Sequence, residues 1–319
     1  MLVKGFYSFM LLLGLLVASK QYTDRSFGDA FESKNKLRKS FFKHSFVGFI
    51  DLEKNLLNLK SEKFVDDPTS STILIDKPEG ESGIQNKFNF SANSGVIYRG
   101  KQTMLLESDA LLFGEDSITR AEKMTLNYQR NYLQGTGNIK SSFKKEDETV
   151  VVKSQKFEVD DNQLTKLKYQ GNVSGKIERN SAPGDFLIFK SDSLIYDQDN
   201  KTIFLDGRAY IKRALSEIRA LKGKIWLNNF SPGVKYFTMN DDVRVTDEFS
   251  NSSGKKIKRY SYSEIVEGFS KDKRLVLSGF PQVKQEGDVI KGNKMIVRED
   301  EEVIEIINTN SQFNLDGGE

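Results

Sequence analysis

Few residues in this chain could carry covalent chemistry. Among 319 residues there is one histidine, His44, and no cysteine. Imidazole relays, thiolate nucleophiles, cysteine metal sites and disulfide frameworks therefore have no material to work with. Acidic clusters do occur, at Asp160-Asp161, Asp241-Asp242 and Glu299-Asp300-Glu301-Glu302. Each stands beside turn residues, where a solvated carboxylate needs no catalytic explanation. Gly135-Thr136-Gly137 lies inside strand alternation and not at a strand-to-helix turn, so it is no dinucleotide fingerprint. No HExxH, GxSxG or P-loop pattern is present. The expectation is a chain without enzymatic activity, cofactor or metal.

The elements that would position any site are strands. The chain has 24 Gly, 23 Phe and 5 Pro, with 37% hydrophobic and 29% charged residues, which excludes a polytopic helical membrane protein. Lys and Arg total 48 against 45 Asp and Glu, and a net charge of +3 is too weak a field to predict nucleic-acid binding. The one long apolar run is Gly5–Ala18, preceded by Lys4. It covers about 21 Å as a helix, short of a hydrocarbon core of about 30 Å. Small residues at Val17-Ala18-Ser19 suit cleavage. Residues 1–19 are expected to be a signal anchor or a signal peptide, residues 20–45 a basic, solvated stalk, and the remainder exported.

From about residue 46 the period is two. In Ile203–Ile211, Ile203, Leu205, Gly207, Ala209 and Ile211 share one face, and Phe204, Asp206, Arg208 and Tyr210 share the other. The same Φ-x-Gly-x-Φ grammar recurs around Leu133, Gly135 and Ile139, around Leu167, Gly171 and Val173, and around Leu277, Gly279 and Val283. A copy without glycine runs through Met239 and Asp241. The central positions at 135, 171, 207, 241 and 279 are spaced about 36, 36, 34 and 38 residues apart, which implies a stacked repeat.

Between these copies runs a second element. It starts on a small residue and reaches apolar residues three and five positions later. Ala121 leads to Met124 and Leu126, Ser154 to Phe157 and Val159, and Ser191 to Leu194 and Tyr196. The forms at Ser191, Ala220 and Gly292 are looser, and Ser61–Asp67 is an early copy close to Ser154–Asp161. Loops are expected at 181–185, 229–233 and 251–254. A long polar connection over 68–94 is expected to hold a strand at Ile73–Ile75, and Pro281 implies an edge or a bulge.

A glycine recurring on an apolar face has two compatible roles. It can bend a sheet, or it can widen an interior so that a linear apolar ligand fits. A regular series of such glycines favours a groove along the stack. The residues expected to line it are Leu133, Gly135, Ile139, Phe157, Leu167, Gly171, Val173, Leu194, Tyr196, Leu205, Gly207, Ile211, Met239, Leu277, Gly279 and Val283.

The small residue, apolar strand, turn, Φ-x-Gly-x-Φ and return strand resemble the OstA-like periplasmic family of lipopolysaccharide transport. The segment most like it runs from Ser191 through Gly207 to Gly223. The N-terminal apolar segment is similar to the LptC branch, and the length accommodates an LptC-like part over 46–183 followed by an LptA-like part over 184–319. The resemblance implies an all-β, elongated antiparallel jellyroll in the periplasm, held to the inner membrane by residues 2–18 or released by cleavage. It also implies lipopolysaccharide as cargo, inner-membrane ABC transporter permeases as partners, and edge-strand stacking with other OstA-like proteins. A structural β-solenoid or adhesin with a filled interior is the alternative. An outer-membrane barrel fits poorly, because the outward faces carry Lys, Asp and Glu and the chain ends Asn314–Glu319 without an aromatic strand.

Overall fold

A computed structural model describes residues 40–319, apart from 51–55, 68, 83–87, 128–131, 146, 160–164, 182, 183, 185, 228–233, 251–253, 299–301, 308–311 and 315–319. Residues 39–319 form one compact unit. The described part is all-β and antiparallel, with 22 strands in one connected sheet and no α-helix. In chain order the strands begin with β1 (Ser40–Ile50), β2 (Leu56–Asp67), β3 (Thr72–Asp76), β4 (Glu79–Ser82), β5 (Phe88–Ser91), β6 (Ser94–Tyr98) and β7 (Thr103–Phe113). They continue as β8 (Ser117–Asn127), β9 (Tyr132–Lys145), β10 (Glu148–Val159), β11 (Lys166–Arg179), β12 (Phe186–Asp197), β13 (Thr202–Arg213), β14 (Ser216–Leu227) and β15 (Val234–Ser250). The last are β16 (Lys256–Phe269), β17 (Arg274–Ser278), β18 (Gln282–Gln285), β19 (Asp288–Lys291), β20 (Lys294–Arg298), β21 (Ile304–Ile307) and β22 (Gln312–Asn314).

Each strand from β7 to β16 pairs with its sequence neighbours, β11 and β12 from Lys166 opposite Asp197 to Glu178 opposite Phe186. Toward both ends the sheet divides. β2 pairs β3 through Lys63–Asp67 and β4 through Leu57–Lys60. In the same way β16 pairs β17 through Ile265–Phe269 and β18 through Arg259–Tyr262. Two leaves are thus joined by long strands that cross from one to the other. The leaf containing β3, β6, β17 and β20 is called the first, and that containing β4, β5, β18 and β19 the second.

The crossing has a local cause. Alternate strands carry consecutive left-handed residues at the bend: Ser108-Asp109, Gly137-Asn138, Gly171-Asn172, Gly207-Arg208, Asp241-Asp242 and Gly279-Phe280. Left-handed backbone favours Gly and tolerates Asn and Asp, which accounts for the glycine repeat and for the copy at Asp241 without one. Register shifts in the strand ladders fall at these points from β7 to β16. The intervening strands turn on the small residue of the second repeat. Ser61, Ala121, Ser154, Ser191, Ala220 and Ser263 are buried there. Where that residue is serine, its hydroxyl donates to the carbonyl two residues on, as at Ser154 to Lys156 (3.0 Å) and Ser191 to Ser193 (2.7 Å).

Several expectations need correction. The repeat copy centred on Gly135 is shifted, because the left-handed pair lies at Gly137-Asn138. Residues 68–94 are not one long connection holding a single strand: β3, β4 and β5 occupy much of that stretch, and β6 begins at Ser94. Residues 40–45, expected to belong to the stalk, are strand, so His44 lies within β1, and 20–39 lie outside the described residues. Pro281 sits at the break between β17 and β18, as its missing N–H requires. The apolar run at 5–18 lies outside the described residues. Among those that are described, no helix is long and apolar enough to cross a membrane.

Candidate functional site: the apolar interior

Strand register converts the period-two alternation into rows. On the first leaf, Met124, Gly135, Phe157, Tyr169, Leu194, Leu205, Gly223, Met239, Val266, Leu277 and Met295 are successive cross-strand partners. The adjacent row links Leu133, Val159, Leu167, Tyr196, Ile203, Ile225 and Phe237. On the second leaf, Ser141, Val152, Gly175, Phe189, Ile211, Ile218, Val245, Ser261 and Val283 follow in the same way. The buried apolar members belong to one hydrophobic cluster. The leaves face each other across it, because the Tyr196 ring of the first leaf meets the Phe143 ring of the second edge-on at 4.8 Å.

The non-glycine residues expected to line a groove, from Leu133 to Val283, all point into this interior, none more than 8% exposed. The glycines do something else. Gly171, Gly207 and Gly279 are left-handed bend residues, and a Cβ on them would meet the side chains of Gln155, Asp192 and Glu264. They are not openings on the apolar face. Counting by twos through a bulge assigns the α-carbon to the inner face, although the extra residue has turned the chain there. Gly135 does face inward, but the Phe157 ring of the neighbouring strand lies where its side chain would be. Phe189 covers Gly175 and Phe237 covers Gly268 in the same manner. Missing side chains therefore seat rings; they leave no hollow.

Polar groups inside the rows escaped the period-two pattern. Arg259 and Asp247 are buried partners on β16 and β15, with Arg259 Nη2 donating to Asp247 Oδ2 at 2.5 Å. Thr119 and Ser141 share a buried hydroxyl–hydroxyl bond of 2.8 Å. Burial pushes the Tyr169 and Tyr196 phenols well above the usual tyrosine range, so both stay protonated. Asp247, Arg259 and Ser261 occupy inward parity in their strands, and that parity was the one signal available for them. The acidic pair Asp241-Asp242 is exposed at a bend, with Asp242 bound to Arg244. Among the described residues no group of acidic or histidine side chains could hold a metal.

Residues 188–303 match the family model described as LptA/(LptD N-terminal domain) LPS transport protein. Over that span the chain is similar to the OstA-like domain of lipopolysaccharide transport proteins. The matched OstA-like span starts within β12, ends just before β21 and includes the bends at Gly207, Asp241 and Gly279. Among solved structures, the chain is similar to the crystal structure of LptH, the LptA homologous periplasmic component of the conserved lipopolysaccharide transport device from Pseudomonas aeruginosa. That similarity has 12% identity and a TM-score of 0.37, over 41% of this chain and 95% of that one. No curated protein matches the chain.

Proposed function

We propose that this protein is a non-enzymatic periplasmic scaffold that binds lipopolysaccharide and passes it from inner-membrane ABC transporter permeases toward the outer membrane. Residues 2–18 would anchor it or be cleaved. An LptC-like part over 46–183 continues into an LptA-like part over 184–319. The observation that carries the proposal is the family match over 188–303, on strands whose inward residues are mostly apolar and belong to one buried cluster. Exposing ten methylenes to water costs about 8 kcal/mol, at roughly 0.8 each, so acyl chains in transit need continuous cover. Leu, Ile, Val and Phe provide cover without directional bonds that would pin the cargo. The acyl chains enter between the leaves, against Leu133, Ile139, Phe157, Leu167, Val173, Leu194, Tyr196, Leu205, Ile211, Met239, Leu277 and Val283. The bend glycines Gly171, Gly207 and Gly279 serve the crossing of the strands, and Gly135 seats Phe157. Among the described residues, β1 at one end, and β21 with β22 at the other, are paired on one side only. They would receive OstA-like neighbours by β-augmentation.

A photo-crosslinking residue at Leu205 or Val173 should label lipopolysaccharide, and one at Asp206, on the outward face, should not. Equal labelling from both faces defeats the assignment. The close packing of Phe157 over Gly135 favours a second role, a filled structural stack without cargo. That role predicts no label from any of the three positions and no lipid in the mass spectrum of the purified protein.

A further inference from the structure

Tyr169 is the odd member of its row. Its side chain is fully buried, its ring stacks on Phe157 (centroids 6.2 Å apart, planes at 28°), and Leu194 is its partner on the next strand. Phenylalanine would fill the same space. The hydroxyl nevertheless finds no hydrogen-bond partner among the described residues. The Ser141 hydroxyl, bonded to Thr119, lies close enough to oppose part of the rise in the phenol's pKa, but not in hydrogen-bonding geometry to it. An unbonded buried hydroxyl lowers the folded population roughly tenfold. A group costly to the empty protein is explained if something else completes it.

We infer that the Tyr169 hydroxyl, beside the Ser141–Thr119 pair, is a hydrogen-bonding station that receives the ester or amide carbonyl of a guest acyl chain. The inference rests on the proposed lipid-binding function and adds a chemical selectivity to it. A phenol held protonated donates and a carbonyl accepts, whereas an ether or an alkane offers a poor acceptor or none. Ser141 and Tyr169 sit on opposite leaves, on strands β9 and β11. A carbonyl at this point would therefore lie between the leaves, with hydrocarbon rows running on from it.

The test compares wild type with Tyr169→Phe, using glycerol monolaurate and its ether counterpart 1-O-dodecylglycerol, each below its critical micelle concentration. Equilibrium dialysis should show wild type preferring the ester over the ether by about fivefold more than the variant does. The thermal midpoint of the variant should be unchanged or higher, since no native bond is lost. In wild type the infrared band of the bound ester carbonyl should lie at lower wavenumber than that of the same ester in a hydrocarbon solvent, as hydrogen bonding requires. That measurement decides the matter should the variant fail to fold. An equal ester-to-ether ratio in the two proteins, or an unshifted carbonyl band, overturns the station while leaving the lipid-binding function standing. If neither probe binds wild type, the interior is not a lipid site and both proposals fall.

Discussion

Arg259 and Asp247 face each other across β16 and β15 with side chains 0% and 3% exposed, and the same guanidinium donates to the carbonyl of Arg298 on the opposite leaf at 2.9 Å. The Phe249 ring covers the guanidinium at 4.9 Å. A pair so deeply buried gains little net stability over hydrophobic replacements, but it is severe to break, because the survivor is left charged in a dry interior. Arg259→Met should lower the free energy of unfolding by about 3–5 kcal/mol. The double variant with Asp247→Asn should recover much of that loss. Urea melts would measure both, and equal losses in single and double variants would show that no charge had been orphaned.

Gly135 and Phe157 are a second coupled pair. Gly135→Ala places a methyl inside the Phe157 ring and should destabilise by about 1–3 kcal/mol. Phe157→Leu in the same background should relieve part of the clash. Gly100→Ala, where an added Cβ meets nothing within 4 Å, serves as the neutral control. Non-additivity of the Gly135 and Phe157 changes in a double-mutant cycle is the quantity to measure.

The small residue at each inner corner should be limited in size but not in chemistry. Other copies hold alanine at 121 and 220, so Ser191→Ala should change stability by no more than about 1 kcal/mol. Ser191→Leu must find room at a buried corner and should cost at least about 1–3 kcal/mol. Chemical denaturation that ranks the two variants in the other order would show that the hydroxyl bond, not corner volume, governs the site.

Asp197 gives the fold a pH dependence of definite sign. The Asn200 side-chain amide and backbone N–H donate to its two oxygens at 2.9 and 3.0 Å and hold its carboxyl below the usual aspartate range. A carboxyl whose folded pKa is depressed contributes stability that is fully present above its unfolded pKa of about 3.9 and disappears as pH falls through the folded value. Asp197→Asn should therefore be less stable than wild type at pH 6, and the gap should close below about pH 4. A gap that stays constant with pH would mean that the charge plays no part.

The alternation that makes Leu194, Leu205 and Leu277 inward residues was legible directly, since period two needs only the chain itself. The bend was legible as a repeat but not as a geometry. Gly207 keeps the parity of Leu205 and Ala209 while the bulge turns it beside Asp192, and no pattern in one strand reveals the extra residue opposite it. The bend at Ser108-Asp109 carries no glycine to mark it, because serine and aspartate occupy the left-handed conformation there. Tyr169, Ser141, Asp247 and Arg259 were missed for a related reason: an inward polar residue looks like an interruption until its cross-strand partner is known. The small-residue repeat, visible at Ser61, Ala121, Ser154 and Ser191, was found without its cause, which is the corner that those side chains fill.

Because every strand from β7 to β16 contributes one segment to each leaf, the two halves are tied by peptide bonds along their shared spine as well as by packing. Prising them apart breaks side-chain contacts only, and the covalent spine keeps the parted surfaces at high effective concentration. A separation of the leaves would therefore leave every strand continuous and need not pass through an unfolded chain.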